Sequence, residues 1–274
     1  MTKAEDLAAL LASADRNGGP WWSRTDGNIH APAGFSTLLV LRTLPDLGAT
    51  LANTPALNEA VDLVLSFQND DGSFRYSAHA SRLPCITGEA LAGLGRLGVN
   101  DPGIDAGYKW LAESVAADGG WRCPTMKPGT SPATDLSNPG ATLFALDALR
   151  FRPDTPDEVT APAVAALLHH WDTRAPQGPC HFGIGKRFLK VEYPFKRYNI
   201  FYWVYVLSHY EQAVADPRFQ AAFDALRSTT VGDRFTIEAP NRAWAAFGFA
   251  RGGAPSDVAS ELWRQTCQRV QPPR

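Results

Sequence analysis

The sequence lacks the charge imbalance that a general nucleic-acid-binding protein usually carries. Its 26 Lys and Arg residues nearly balance 28 Asp and Glu residues, which leaves a net charge of -2. Binding to a phosphate backbone usually requires a strongly basic surface. We therefore expect no nucleic-acid partner.

Long apolar runs are also missing. The chain contains no stretch of about 18 uncharged apolar residues, so it predicts no transmembrane helix. The first residues, Met1–Asp6, have neither the basic start nor the apolar core of a signal peptide. We expect a cytoplasmic protein, in which the four cysteines are free thiols or metal ligands more often than disulfides.

No segment alternates apolar and polar residues over the length of a strand, so the sequence predicts an all-α protein. Three catalytic patterns are absent as well: an ordered Ser-His-Asp triad, a phosphate-binding glycine loop and a His-Glu-x-x-His motif. Apolar residues make up 45% of the chain and charged residues 20%, as in ordinary globular proteins. No linker divides residues 1–274, and we expect them to form a single domain.

What is present is a repeated turn. The segments Gln68–Phe74 and Asp118–Trp121 both end an apolar helical run with an acid, glycine and an aromatic residue, and a new apolar run follows each. A helical hairpin cannot bury its apolar face alone, so the sequence predicts an N-terminal helix and about five stacked hairpins. The predicted helices are residues 4–14, 35–47, 57–67, 84–98, 104–116, 140–150, 156–171, 198–213, 217–228, 241–250 and 255–271, with 124–138 and 172–187 irregular.

This turn resembles the repeat of the squalene cyclase and prenyltransferase superfamily. The matching residues of the first copy are Gln68, Asp71, Gly72 and Phe74, with Phe where Trp is usual. The second copy matches at Asp118–Trp121, although Val115 stands where the Gln would be. The resemblance implies an α/α toroid whose inner helices line a central cavity.

More narrowly, the chain is similar to small stand-alone bacterial proteins described as squalene cyclase-like. The shared segments are Pro84–Gly88, Asp118–Cys123 and Phe188–Phe195. Class II terpene cyclases protonate an alkene with an Asp-x-Asp-Asp motif, which this sequence lacks. The Asp-Asp-x-x-Asp metal motif of ionisation-type synthases is also missing. Asp71 is better explained as the cap of a turn than as an acid.

Cysteines form the first group of residues that could carry chemistry. The predicted metal ligands are Cys85, Cys123, Cys180 and His181, which all lie at helix ends or in loops. A toroid would bring these ends to one rim, where three thiolates and an imidazole satisfy tetrahedral Zn²⁺. Alternatively, the cysteines are small apolar core residues, or Cys85 is a nucleophile activated by its helix N-terminus.

A basic segment, residues 186–198, forms the second group. It carries five basic residues and one acid, which suits a diphosphate group because arginine offers two donors in a fork. The alternative is a solvated basic loop. The predicted substrate-binding residues are the basic Lys186, Arg187, Lys190 and Arg197 and the aromatic Trp121, Tyr193, Tyr198 and Tyr202. Aromatic faces stabilise carbocations and bury isoprenoid chains, but they are also common in ordinary cores.

Four carboxyl groups are candidates for acid–base chemistry. We predict Glu89 and Asp135 as catalytic residues, and Asp147 and Glu192 are further candidates. Glu89 lies one turn after Cys85, and a carboxyl group in an apolar cavity would have a raised pKa and could act as a general acid. Glu89 could equally lie on a helix surface.

Together these patterns predict an enzyme that acts on an isoprenoid or similar apolar substrate, with a diphosphate as one possible head group. The reaction expected is a terpene cyclase-like cyclisation or rearrangement, with zinc as a candidate cofactor. The alternative is a non-catalytic toroid that binds a lipid or a partner protein. The sequence does not indicate the oligomeric state.

Overall fold

The computed structural model describes residues 1–232 and 234–271. Its α-helices are α1 (Lys3–Leu11), α2 (Thr37–Thr43), α3 (Leu57–Leu65), α4 (Pro84–Arg96), α5 (Pro102–Glu113), α6 (Pro132–Asp135), α7 (Pro139–Leu149), α8 (Asp157–Thr173), α9 (Ile200–Leu207), α10 (Glu211–Val214), α11 (Pro217–Arg227) and α12 (Asp257–Val270). Two short strands, β1 (Phe235–Thr236) and β2 (Pro255–Ser256), pair antiparallel. The mostly helical prediction is confirmed. None of the helices in the described ranges has both the length and the apolar character needed to cross a membrane.

Four helices, α2, α4, α7 and α9, are buried almost all round. They pack in sequence order, α2 against α4, α4 against α7 and α7 against α9. Side chains of Ser36, Asn138 and Asn199 cap the N-termini of α2, α7 and α9, and Pro84 occupies the first turn of α4. These caps satisfy N–H groups that the first helical turn leaves without partners.

The helices that follow in the chain, α3, α5, α8 and α11, each bury one face only. Helix α3 is the simplest example, because its buried residues are Leu57, Ala60, Val61 and Val64. That spacing is one stripe of a helix with 3.6 residues per turn. Apolar periodicity in the sequence therefore located these helices well.

The two repeated turns make the same contact with the next buried helix. The Phe74 N–H donates to the Thr87 hydroxyl at 2.9 Å, and the Trp121 N–H donates to the Thr142 hydroxyl at 3.0 Å. Asp71 accepts hydrogen bonds from the Ser73 N–H at 3.1 Å and hydroxyl at 2.6 Å. This acid is a turn cap, as the sequence predicted.

Gly72 offers a stability test of this turn. Its φ is +90°, and a Cβ added there would lie 2.3 Å from the backbone of Ala106. Gly48 has a similar φ of +89° with open space around the Cβ position. We expect Gly72→Ala to destabilise the protein by well over about 1 kcal/mol, and by clearly more than Gly48→Ala, which incurs only the conformational cost. Denaturant unfolding of the two variants measures the difference, and equal losses would contradict the close packing.

Two predicted helices differ from the structure. Residues 241–250 were predicted as a helix, but they form two separate 3-10 turns, Arg242–Trp244 and Gly248–Ala250. The Trp244 indole N–H donates to the Gly34 carbonyl at 2.7 Å, and its ring packs on Phe35. These contacts with a distant part of the chain override local helix propensity. The predicted fifth hairpin is therefore wrong, and α12 follows the turns alone.

The second difference is the predicted helix over 198–213, which ends with α9 and resumes as the short α10. The Tyr210 hydroxyl between them donates to the Leu146 carbonyl at 2.5 Å. The short helix α6 also lies inside the segment 124–138 that we predicted as irregular. Neither change alters the order of the four buried helices.

Candidate functional site

The site lies where the buried helices begin. Three pieces of chain meet there: the loop before α2 that carries His30, the first turns of α4, and the segment 188–198 before α9. Arg42 of α2 joins the second and third pieces, because its Nη1 donates to Glu89 at 3.0 Å and its Nη2 to the Phe195 carbonyl at 3.2 Å.

Glu89 is held between two cations. Its Oε1 accepts from Arg42, and its Oε2 lies 3.1 Å from the Nδ1 of His30. The two side chains form an ion pair when His30 is protonated. The side chain of Glu89 is 5% exposed and that of His30 is 39% exposed. The pair therefore connects the interior to the surface.

The expected direction of the Glu89 pKa is wrong. Burial alone would raise this pKa, but the charges of His30 and Arg42 lower it, and the net direction is down. Burial lowers the pKa of His30, the Glu89 carboxylate raises it, and the net direction is up. Glu89 is thus a stable anion that favours the protonated form of His30, not a neutral acid in an apolar pocket.

Below this pair lies a second buried anion, Asp147 of α7, whose side chain is 1% exposed. It accepts from the Arg150 Nε at 2.7 Å and from the Tyr202 hydroxyl at 2.8 Å. Arg42 Nε is 3.9 Å away. Burial raises the pKa of Asp147, but the charges of Arg150 and Arg42 lower it by more than burial raises it. The net direction is down, so Asp147 stays ionised. The space between the buried helices therefore holds a charged network.

Glu192 is the most unusual carboxyl group of the described residues. Its side chain is 2% exposed, and its Oε1 has no hydrogen-bond partner within the part of the chain that the structure describes. Oε2 lies 3.5 Å from Arg197 and 3.8 Å from Arg187, which is too far for good hydrogen bonds. Burial raises the pKa of Glu192 to about 7, although the charges of Arg187 and Lys196 oppose the shift.

Lys196 lies within electrostatic reach of both the His30–Glu89 pair and Glu192. Its charge lowers the pKa of both His30 and Glu192. Its ammonium group also lies beside Gly34, in the loop before α2. Lys196 thus lies within electrostatic reach of an imidazole whose protonated form is favoured and of a carboxyl group whose pKa is about 7.

The predicted substrate-binding residues divide into two sets. Lys186, Arg187, Lys190 and Arg197 are exposed, and two of them contact Glu192. The aromatic set, Trp121, Tyr193, Tyr198 and Tyr202, is buried. Each buried polar end has a protein partner: the Leu111 carbonyl, Asp46, His170 and Asp147, respectively. These four aromatic residues are thus core side chains whose polar ends are satisfied within the protein.

Asp135, the other predicted catalytic residue, has its contacts in the loop around α6. Both its oxygens accept from the Gly129 N–H at 2.9 Å, and Arg122 lies 4.0 Å away. These contacts order the turn before α6.

Three predicted metal ligands do come together. The thiols of Cys85, Cys123 and Cys180 interact electrostatically, and burial and these neighbours raise the pKa of Cys85 to about 12. Asn138 holds the two loops that carry Cys123 and Cys180, because its N–H donates to the Trp121 carbonyl and Gly178 packs on its Cα.

Proximity alone does not make a zinc site. Across residues 1–232 and 234–271, no three His, Cys, Asp or Glu side chains are arranged to hold a metal ion. The predicted fourth ligand, His181, is exposed. The raised pKa of Cys85 also disfavours the thiolate that a nucleophile needs. We derive no chemistry through zinc, which stays a prediction from the sequence.

No protein-family model matches the chain, and no curated protein matches it either. The resemblance to squalene cyclase-like proteins therefore stays a prediction.

Sequence reasoning missed His30 and Arg42, and it included Lys196 in the basic segment 186–198 without naming it as a binding residue. Arg42 had a readable signal, because it is the one charged residue of the apolar helix α2. A charge within an apolar helix is rarely buried unless it is paired. His30 had no comparable signal, since its position follows from how two distant loops meet, whereas the signal for Lys196 was the basic segment that contains it.

Proposed function

We propose that this protein is an enzyme that acts on a small apolar, isoprenoid-like substrate with an anionic head group. Glu192 is the general acid or base, and Arg187, Lys196 and Arg197 hold the anion. The observation that carries this proposal is a buried carboxyl group without a partner for one oxygen, surrounded by three cations. Leaving such a group unsatisfied costs stability, which is typical of a functional site.

The pKa of Glu192 suits this role. A general acid or base works best when its pKa is near the working pH, and the pKa of Glu192 is about 7. His30 is a second titratable group within electrostatic reach of Lys196, and its ion pair with Glu89 fixes its position.

The apolar part of the substrate would occupy a neighbouring cavity, which Glu192 itself does not line. A cavity of about 530 Å³ is lined in part by Ile237, Pro240 and Ala245. Its wall is joined to the Glu192 segment, because the Glu238 and Ala239 N–H groups both donate to the Val191 carbonyl. This volume is in the range of small-molecule sites.

We further propose that α2, α4, α7 and α9 are the inner helices of an α/α toroid of the squalene cyclase type. Their packing in chain order and the equivalent hydrogen bonds of the two repeated turns support this arrangement. The candidate site would then occupy the rim at the N-terminal ends of the inner helices.

A turnover assay with prenyl diphosphates of different lengths, with product detection by mass spectrometry, tests the proposal. We expect Glu192→Gln to lower kcat at least about 100-fold, because general acid–base groups usually contribute that much. Lys109→Gln, on the exposed face of α5, is the control and should retain full activity. Full turnover by folded Glu192→Gln would overturn the assignment.

A non-catalytic lipid-binding protein is the second candidate function. The observation that favours it is the core packing of Trp121, Tyr193, Tyr198 and Tyr202, whose polar ends are all satisfied within the protein. In this case a prenyl lipid would bind without being converted. The same assay distinguishes the two functions, because binding without product supports the second.

A further inference from the structure

A second cavity, which is polar, shares no lining residue with the first and is not lined by Glu192. Its volume is about 600 Å³, and it lies between the loop 75–83 and the residues Pro124 and Thr125. Arg75, His79 and Arg82 contribute its basic groups, and none of its described lining residues is acidic, while Asp71 pairs with Arg82 from outside the lining. We infer that this cavity binds a phosphorylated small molecule, with Arg75 and Arg82 as the main ligands of its phosphate. The inference does not depend on the proposed function.

Arg75 is prepared for such a ligand. Its backbone N–H donates to the Phe67 carbonyl at 3.0 Å, and its Nη1 donates to the Ala78 carbonyl at 3.0 Å. The Nε–H is buried and has no partner among the described residues. A buried donor left without an acceptor is costly, so the guanidinium group gains from any movement that brings it to an oxyanion in the cavity. The planar guanidinium group suits oxyanions because its donors lie in a fixed fork.

Arg82 is the second cation, and the repeated turn positions it. Its Nη1 lies 2.8 Å from Asp71, and Asp71 is itself fixed by hydrogen bonds from Ser73. The turn thus holds the Nη1 group of Arg82, while the side chain as a whole stays 61% exposed. The turn therefore has a second role beyond architecture, since it presents a cation to the cavity.

The opposite wall of the cavity, at Pro124 and Thr125, supplies a neutral hydroxyl group on a loop that is held in place by hydrogen bonds. Thr125 lines the cavity, and its hydroxyl lies 3.3 Å from the Cys123 thiol. Arg122 holds this loop by donating to the Met126 carbonyl at 2.7 Å. Asn69 and Ser81 add polar groups to the lining. A cavity of this volume has room for more than a phosphate group, so an organic phosphate fits the space better than a free ion.

Isothermal titration with three probes tests the inference: inorganic phosphate, inorganic pyrophosphate and glycerol 3-phosphate. We expect binding of at least one probe. Glycerol 3-phosphate binding more tightly than inorganic phosphate would identify an organic phosphate ester as the ligand class, and tighter pyrophosphate would identify an inorganic diphosphate. No binding of any probe to the wild-type protein would overturn the inference.

Variants then locate the site. We expect Arg75→Gln and Arg82→Gln each to weaken binding about tenfold or more, because each removes charge-assisted hydrogen bonds. Arg75→Lys keeps the charge but loses the fork, and we expect an intermediate loss. Arg227→Gln is the matched control, since Arg227 also pairs with a nearby carboxylate on the surface. Unchanged affinity in folded Arg75→Gln and Arg82→Gln would mean that the anion binds elsewhere.

Discussion

Replacing Asp147 with alanine is expected to destabilise the protein by about 3–5 kcal/mol, the usual cost of removing one partner from a buried ion pair. Arg150 would lose its hydrogen bond at 2.7 Å, and the Tyr202 hydroxyl would lose its acceptor at 2.8 Å. Arg42, whose Nε already lacks a hydrogen bond, would lose a nearby negative charge. Because these groups are buried, water cannot replace the lost contacts.

Urea unfolding followed by circular dichroism measures this loss. Asp224→Ala is the control, because Asp224 also pairs with an arginine at short range, but on the surface, where both side chains are more than half exposed. Such pairs contribute about 0–1 kcal/mol. If the two variants lose similar stability, the charged network between the buried helices does not have the role we give it.

Glu192→Gln is expected to have the opposite effect on stability, and only at neutral and alkaline pH. In the folded protein the pKa of Glu192 is raised from its ordinary value of 4.5 to about 7, mainly because burial disfavours the charged form. Below pH 4.5 both folded and unfolded chains carry the proton, so the residue contributes nothing. As the pH rises towards 7 the unfolded chain releases the proton first, so the wild-type protein loses stability.

Glutamine resembles the neutral acid at every pH and avoids this loss. We expect Glu192→Gln to match the wild type near pH 4.5 and to be more stable by up to about 3 kcal/mol at pH 8, at 1.36 kcal/mol per pKa unit. Unfolding curves at both pH values measure the change. Glu113→Gln, an exposed surface acid on α5, should change stability little at either pH. If the variant is no more stable than the wild type at pH 8, or if it gains as much stability at pH 4.5, the pKa of Glu192 is not raised in the folded protein.

A gain in stability together with a loss of turnover would distinguish a functional acid from a structural one. Substitution of a buried group that is retained for catalysis usually raises stability and lowers activity. A purely structural Glu192 would lose stability with the substitution at every pH.

The sequence determined the helices, because apolar residues at helical spacing are a local property. It also identified the repeated turns, in which the Phe74 and Trp121 N–H groups make equivalent hydrogen bonds to the next buried helix. Helical spacing of apolar residues gave the wrong structure at 241–250. There the Trp244 indole N–H donates to the carbonyl of Gly34, which is distant in the sequence, and the predicted helix does not form.

Only the tertiary structure decided the chemistry of the candidate sites. Glu89 and Glu192 are both buried acids, yet the pKa of Glu89 is lowered and that of Glu192 is raised. Glu89 accepts a hydrogen bond from Arg42, whereas the cations near Glu192 are exposed and too distant for good hydrogen bonds. The sign of a pKa shift depends on the balance between burial and charges from distant parts of the chain, and a sequence alone does not specify those distances.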